Sequence, residues 1–206
     1  MRQLTVVWVM FLLSACATFT PVPNSDVKTA VQSGAYSLDE SHAALTFEIS
    51  HFGISSYLGR FNNIEATLDI DQSNPEAARL SFTANIASLD INNESFQKTL
   101  LGADWFDANN HPTARFVSKK IIRDGEKLGT ISGDLTIKGT TKPVSFDVQF
   151  NGGLKNPLSR THTLGFEAIG QIKRSDFGIT KYLSIAGDKF NFDTVSIKFN
   201  GEFQKN

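Results

Sequence analysis

The sequence predicts an all-β domain of about eight antiparallel strands, closed as a barrel or packed as a sandwich. Apolar and polar residues alternate with period two in segments of roughly ten residues. These segments recur from about residue 34 to the C-terminus, and turn residues separate them. No strand-helix alternation of the kind that builds a parallel sheet interrupts them. The period-two alternation of apolar and polar residues leaves one face of each strand in contact with water and buries the other, which is typical of antiparallel sheets.

The first fifteen residues have the three-part form of a secretory signal peptide. Arg2 precedes an apolar run at residues 4–13, and two small residues follow. The run is too short to cross a bilayer, which takes ~20 apolar residues. The letters LSAC at residues 13–16 resemble a bacterial lipobox, in which cleavage makes the cysteine the new N-terminus and its sulfur receives a diacylglycerol. Cys16 is the only cysteine, and the alternative is an ordinary signal with an incidental thiol.

The residues after Cys16 predict where the protein is anchored and how. Ala17 follows the cysteine, whereas inner-membrane retention in such lipoproteins usually goes with aspartate, so we expect an outer-membrane lipoprotein on the periplasmic face of a bacterial envelope. Residues 17–33 hold two prolines among small and polar residues and follow neither period, which is typical of a flexible tether. The expected organisation is a signal peptide at 1–15, an acylated cysteine and tether at 16–33, and one folded domain at 34–206.

Eight strands account for the folded domain. Clear alternation predicts strands at residues 44–52, 79–88, 143–150 and 164–174, and less regular patterns predict strands at 59–71, 113–123, 127–138 and 189–203. In the last segment the apolar phase is even at Phe190 and Phe192 but odd from Val195 onward. A one-residue slip would turn every later side chain to the other face. We therefore expect a bulge or a break near Asp193.

Helix is expected in two short places. Residues 92–102, NNESFQKTLLG, offer Asn92 or Asn93 as the N-cap, Phe96 and Leu100 one turn apart, and Gly102 at the end. The segment RSDFG at residues 174–178 predicts a second helical turn. One or two short helices therefore accompany the strands.

Composition narrows the function classes. The formal net charge is −1, and lysine and arginine are not clustered, so we expect no nucleic-acid partner. A single cysteine allows no intramolecular disulfide, so the core alone must hold the fold. Phenylalanine is unusually common, with 17 residues against two Trp and three Tyr. Its rings carry apolar surface without a polar handle, and they either fill the interior or line it.

The sequence offers no strong candidate for a metal site or a catalytic site. Among the four histidines, His42 and His51 are nine residues apart, so one continuous strand would place them on opposite faces. Asp104, Asp107 and His111 could approach one point, but their spacing is not that of an established metal site, and turn and capping chemistry explains them better. The chain has no G-x-S-x-G elbow and no P-loop. We expect no metal, no cofactor and no enzymatic activity.

Five motifs in order resemble the YceI-like family of bacterial envelope proteins. They are DESHAALTFEISHFGISSYLGRF, ASLDI, LLGADWFDANNHPTARFVS, GDLTIKGTTKPVSF and IKRSDFGI, and the resemblance covers residues 36–203. It implies an elongated eight-stranded antiparallel β-barrel with lipocalin-like architecture. It also implies a lumen that holds a polyisoprenoid or another long amphiphile.

The apolar strand faces and the resemblance together predict the binding residues. The expected lipid-binding set comprises Phe47, Ile49, Phe61, Phe82, Ile86, Leu100, Phe106, Phe116, Leu135, Phe146, Val148, Phe166 and Phe177. Arg60, Lys142 and Arg174 are candidates for an anionic headgroup, each weighed against a solvated surface charge. Cys16 is the expected lipid anchor.

The predicted function is local sequestration or transport of a long-chain lipid or isoprenoid by a membrane-anchored barrel. One alternative is a structural or stress-related envelope module with a filled barrel, which works through its surface. A less favoured one is an enzyme acting on a lipid-like substrate, which needs a pKa-shifted polar group in or near the lumen. A homodimer is left open.

Overall fold

The computed structural model describes residues 31–186 and 190–206, and there the chain forms a closed antiparallel β-barrel of eight strand positions. Its strands are β1 (Gly34–His51), β2 (Ser55–Phe61), β3 (Ile64–Ile70), β4 (Arg79–Asn85), β5 (Leu89–Ile91), β6 (Thr113–Asp124), β7 (Leu128–Ile137), β8 (Thr140–Lys155), β9 (His162–Lys173) and β10 (Thr194–Lys205). Its helices are α1 (Glu94–Leu101) and α2 (Leu183–Ala186), with 3-10 turns at Pro75–Ala77, Ile86–Ser88 and Arg174–Phe177.

Ten strands fill eight positions because two positions are interrupted. β2 pairs with the second half of β1, and β3 pairs with its first residues, Gly34 to Ser37. β4 and β5 pair in turn with β3 and β2. The predicted strand at 59–71 is thus split at residues 62 and 63, and the one predicted at 79–88 ends at Asn85, where a 3-10 turn replaces its last three residues.

The barrel closes where its first strand meets its last. β1 pairs with β10 from Tyr36 opposite Lys205 to Ile49 opposite Val195, with a bulge between Asp39 and Ala43. Closure satisfies backbone groups that an open sheet would expose at its edges. The fold class predicted from the sequence is confirmed.

The predicted local signals appear where the sequence places them. The Asn93 side chain accepts a hydrogen bond from the Phe96 amide at 2.9 Å and begins α1. The turn at Arg174–Phe177 ends on Gly178, whose φ of 73° lies in the left-handed region that glycine adopts readily. β10 begins at Thr194, after Phe190 and Phe192, so the expected break near Asp193 is real.

The two ends of the barrel are packed by different apolar clusters. At the proximal end, where β1 begins, Tyr36, Leu164 and Phe203 are buried together. At the distal end, where β1 finishes, Leu100 of α1 packs with Trp105 and Phe177. No helix among the described residues has the length and apolar content to cross a membrane. The expected signal peptide, Cys16 and the tether up to residue 30 lie outside the described residues.

Candidate functional site

The barrel encloses a cavity of about 940 Å³. That is near the upper end of the ~300–1,000 Å³ typical of small-molecule sites. Its lining extends from Ile70 at the proximal end to Trp105 at the distal end. The walls are the inward faces of the alternating strands, and aliphatic side chains and phenylalanine rings dominate them.

All thirteen residues predicted to bind lipid line this cavity. They are Phe47, Ile49, Phe61, Phe82, Ile86, Leu100, Phe106, Phe116, Leu135, Phe146, Val148, Phe166 and Phe177. Period-two alternation explains the inward orientation of the nine that lie on strands, whereas Ile86, Leu100, Phe106 and Phe177 reach the cavity from 3-10 turns, α1 and the loop after α1. That they contact a lipid stays a prediction.

Glycines in the wall keep the phenylalanine rings from filling the lumen. A Cβ on Gly59 would lie 2.3 Å from Cζ of Phe47, and one on Gly170 would lie 2.5 Å from Cδ1 of Phe146. Such contacts are shorter than packed atoms allow, so each ring lies directly over a glycine backbone. The lack of a side chain at Gly170 therefore leaves room for the Phe146 ring along the wall.

Arg174 lines the cavity, yet its guanidinium is held by the protein itself. It is only 5% exposed, and Nε, Nη1 and Nη2 donate at 2.8 Å to the carbonyl oxygens of Phe192, Ile179 and Lys181. Its Cζ lies 5.1 Å from the ring centre of Trp105, a cation–π contact. Burial lowers the pKa of this guanidinium, and the nearby Asp193 carboxylate opposes the shift. Arg174 therefore ties the distal loops together, and these three donors are not directed at a headgroup.

The other two headgroup candidates lie outside the cavity lining. Arg60 is exposed and pairs in register with Thr46 and Asp90 on the outward face. Lys142 shares the phase of lumen-facing residues of β8, but it is exposed near the end of that strand. A solvated surface charge describes Arg60, which lies on the outward face, whereas a headgroup contact by Lys142 stays a prediction.

The acidic loop after α1 is built by turn chemistry, as expected. Asp104 pairs with Lys181 at 2.7 Å, while Asp107 accepts two hydrogen bonds from the Asn110 side chain. His111 lies 4.0 Å from the Asp107 carboxylate. Asp104 is thus engaged elsewhere, and the three residues do not form a metal site.

A different trio is close enough to hold a metal ion. Asp39, His42 and Glu202 each offer one ligand atom, and these atoms lie within 4.8 Å of one another. Hydrogen bonds from Ser41 and His42 lower the pKa of the Asp39 carboxyl to about 2, and Asp39 raises the pKa of His42. Sequence reasoning missed this trio because Glu202 reaches Asp39 only through the pairing of β1 with β10.

The opening at the distal end was also missed from the sequence. Phe52 and Tyr182 line the cavity and are still 47% and 51% exposed, so they lie where it meets solvent. Phe52 is the last residue of a predicted strand, follows the end of the observed β1 at His51, and precedes Gly53. The signal in the sequence that could have indicated the opening is this bulky apolar residue directly before a glycine in a turn.

Comparison with known proteins places this geometry in a family. The YceI-like domain family matches residues 36–203. A UPF0312 protein of Ectopseudomonas mendocina is 38% identical over 155 residues, which cover 74% of this chain and 81% of that relative.

Solved structures share the fold. BcnA of Burkholderia cenocepacia superposes with a TM-score of 0.68 at 27% identity, covering 80% of this chain and 98% of its own. A polyisoprenoid binding domain from Saccharophagus degradans, implicated in plant cell wall breakdown, superposes with a TM-score of 0.60, covering 83% of this chain and 98% of its own. The latter is 16% identical, so its likeness shows the fold alone.

Proposed function

The chain belongs to the YceI-like family, and from that premise we propose that it binds a polyisoprenoid or another long amphiphilic lipid inside its barrel. The observation that carries the proposal is the apolar cavity of about 940 Å³. An eight-stranded barrel is either filled by its own side chains or holds one ligand. The volume here favours the ligand over the filled structural module.

The chemistry of the walls suits a long hydrocarbon chain. Each CH₂ group that leaves water for an apolar wall contributes ~0.8 kcal/mol, so a long chain gains a large term before entropic costs. Directional hydrogen bonds are not required for this gain. We therefore expect tight retention together with weak selectivity among long apolar chains.

The polar groups of the lining do not favour an enzyme. His51 and Arg174 lie towards the distal end, whereas Arg123, Glu126 and Lys127 lie near the proximal β6–β7 turn. A catalytic site needs such groups within hydrogen-bonding reach of one another and of the reacting atoms. Binding without chemistry is the simpler function for these walls.

The proposal extends to cellular context. The protein is an envelope lipoprotein anchored through Cys16, with its barrel on the periplasmic face of the outer membrane. This part is supported by the signal-like residues 1–15, the lipobox-like order at 13–16 and the tether-like residues 17–33. An anchored barrel sequesters or transports lipid locally, beside the membrane that holds it.

Lipid extraction with a matched pair of variants tests the binding proposal. Ala168 lines the cavity, whereas its neighbour Ile169 is 48% exposed on the other face of β9. The purified full chain, Ala168→Trp and Ile169→Trp would each be extracted with organic solvent and the extract identified by mass spectrometry. We expect a long-chain lipid from the wild type and from Ile169→Trp, and at least a roughly tenfold smaller yield from Ala168→Trp, whose indole occupies the lumen.

Circular dichroism would verify that both variants are folded. A wild-type protein that yields no lipid and also takes up no long-chain probe would contradict the proposal.

A further inference from the structure

Exposed apolar side chains lie at the distal opening and on the outer face of the hairpin beside it. We call Phe52, Ile54, Leu58 and Tyr182 the distal rim; their exposed fractions are 47%, 85%, 64% and 51%. Phe52, Ile54 and Leu58 lie on the β1–β2 hairpin, and Tyr182 lies just before α2. Because Phe52 and Tyr182 also line the cavity, the apolar surface continues from the outside into the lumen. Large exposed apolar patches mark interaction sites.

The backbone holds the two aromatic residues of the distal rim in an unusual conformation. Phe52 has φ 56° and Tyr182 has φ 66°, a left-handed region that bulky residues rarely occupy. The Phe52 turn is closed by hydrogen bonds from Ile54 N to His51 O and from Gly53 N to Ser50 Oγ, both at 3.2 Å. Backbone strain of this kind is typical of functional sites.

An aromatic cluster supports Phe52 from behind. Its ring centre lies 5.6 Å from that of Phe190 and 5.0 Å from that of Phe192, both in edge-on geometry. The ring is therefore fixed at the opening while nearly half of it faces solvent. This arrangement presents apolar surface instead of hiding it.

From these observations we infer that the distal rim docks onto a lipid bilayer, so that the ligand passes between membrane and cavity without crossing water. The inference rests on the proposed lipid-binding function and adds the partner. Aromatic residues favour the interface of a membrane, and each methylene exposed to water during transfer is unfavourable. Whatever docks on the distal rim covers the path by which the ligand enters the cavity. A lipid bilayer covers that path and also supplies the ligand.

The opposite end of the barrel also exposes apolar side chains, namely Ile122, Leu128 and Leu158, but they are aliphatic and charged residues accompany them. There the cavity lining includes Arg123, Glu126 and Lys127 at the β6–β7 turn. Charged groups are costly to place among acyl chains. The distal rim differs in holding two exposed aromatic side chains, Phe52 and Tyr182, and aromatic rings favour the membrane interface, so we assign the membrane contact to the distal rim.

Two tryptophan reporters test which end meets the bilayer. Ile54→Trp places an indole in the distal rim, and Leu158→Trp places one in the β8–β9 loop at the proximal end, where Leu158 is 92% exposed. The full-length variants would be mixed with phosphatidylethanolamine–phosphatidylglycerol vesicles with and without brominated acyl chains, and the wild-type signal subtracted. We expect bromine to quench the Ile54→Trp reporter and to leave the Leu158→Trp reporter unchanged. Equal quenching, no quenching or the reverse order overturns the inference.

A transfer assay separates this inference from the proposed function. Neither Ile54 nor Leu58 lines the cavity, so the double variant Ile54→Ser/Leu58→Ser should bind the fluorescent fatty acid cis-parinaric acid in vesicle-free buffer like the wild type. Its uptake of the same probe from vesicles should be roughly tenfold slower, because the apolar contact is lost. Leu158→Ser, equally exposed at the other end, should not slow uptake.

The outcomes are distinct. A wild type that yields no lipid on extraction and binds no probe in buffer contradicts lipid binding itself. A double variant that binds in buffer and takes up the probe from vesicles as fast as the wild type contradicts only the docking inference.

Discussion

Arg174 shows how one residue can organise the distal end of the barrel. Its three hydrogen bonds join Ile179, Lys181 and Phe192, which the chain brings back to the end of β9. The planar fork of an arginine reaches several carbonyl oxygens at once, which a lysine ammonium cannot. The arginine of the IKRSDFGI motif thus serves to anchor loops within the protein.

Replacing Arg174 tests this role. Arg174→Met leaves buried carbonyl oxygens without donors, and each such group costs about 1–3 kcal/mol. We expect the free energy of unfolding to fall by about 3 kcal/mol or more, measured by urea denaturation. Arg60→Met, on the exposed face of β2, should change it by less than ~0.5 kcal/mol. Similar stabilities of the two variants would contradict the anchoring role.

The bulge in β1 predicts a pH dependence of stability. The folded pKa of Asp39 is about 2, below its ordinary value of 3.8, through hydrogen bonds from Ser41 and His42. The ionised carboxyl therefore stabilises the fold above pH 3.8, and this contribution is lost as the pH falls towards 2. We expect the stability difference between wild type and Asp39→Asn in thermal unfolding to shrink over that window. A constant difference from pH 5 to about pH 2 would contradict it.

His42 contributes with the opposite sign. Asp39 raises the folded pKa of His42 above its ordinary value of 6.5. The contribution of the protonated imidazole is complete below pH 6.5 and is lost as the pH rises through the raised pKa. Thermal unfolding of His42→Gln should therefore approach that of the wild type at alkaline pH. A difference that grows with pH would show that protonation is not the cause.

At the scale of strands, the pairing of phenylalanine with glycine determines whether the barrel stays open. The Phe146 ring occupies the space that a side chain at residue 170 on the neighbouring strand would need. A strand that alternates correctly but lacks this glycine would direct the ring across the cavity. The wall therefore needs small residues as well as apolar ones.

Adding one methyl group to this wall gives a direct test. In Gly170→Ala, the new Cβ would lie 2.5 Å from Phe146 Cδ1 and 3.0 Å from the Ser145 carbonyl oxygen, so the ring must move into the lumen. We expect a loss of about 1–3 kcal/mol in urea unfolding and weaker binding of a long-chain probe. Gly165→Ala, on the same strand, would meet Asn151 Cβ at an ordinary 3.4 Å and serves as the control. Equal probe binding by the two variants would contradict this account of the wall.

For the whole molecule, the anchor and the distal rim set a geometric requirement. Residue 34 is at the proximal end, so a tether from Cys16 must let the distal rim return to a membrane. Val31 and Gln32 already contact the proximal end of the barrel, so only residues 17–30 are left to span the distance, and they reach at most ~46–50 Å when extended. β1 has 18 residues, or ~60 Å along the strand, and less along the axis because barrel strands tilt. With Cys16 anchored as we propose, residues 17–30 must be nearly extended for the distal rim to meet the same membrane.

Removing the anchor tests the cellular part of the proposal. Cys16→Ser blocks acylation, so we expect the protein to move from the membrane fraction to the soluble periplasmic fraction, detected by immunoblotting after fractionation. Ala17→Ser retains the thiol and should stay membrane-bound. A Cys16→Ser protein that remains in the membrane fraction would contradict the lipid anchor.

The sequence by itself determined the properties that depend on near neighbours in the chain. Period-two alternation predicted the strands and which of their side chains face inward, and the nine strand residues of the predicted binding set do line the cavity. Asn93 marked the start of α1, and the phase change near Asp193 marked a real break before β10. These signals are local because alternation and capping are set by the backbone geometry of a few residues.

Only the tertiary structure decided the properties that depend on residues far apart. The pairing of β1 with β10 places Glu202 beside Asp39, and the return of the distal loops buries Arg174, a candidate headgroup contact. Strand register sets Phe146 over Gly170 and so leaves the cavity open. Hairpin geometry exposes Phe52 and Ile54 at the opening. Register and loop closure bring together side chains that share no local pattern, and the free volume between them follows from packing the whole barrel.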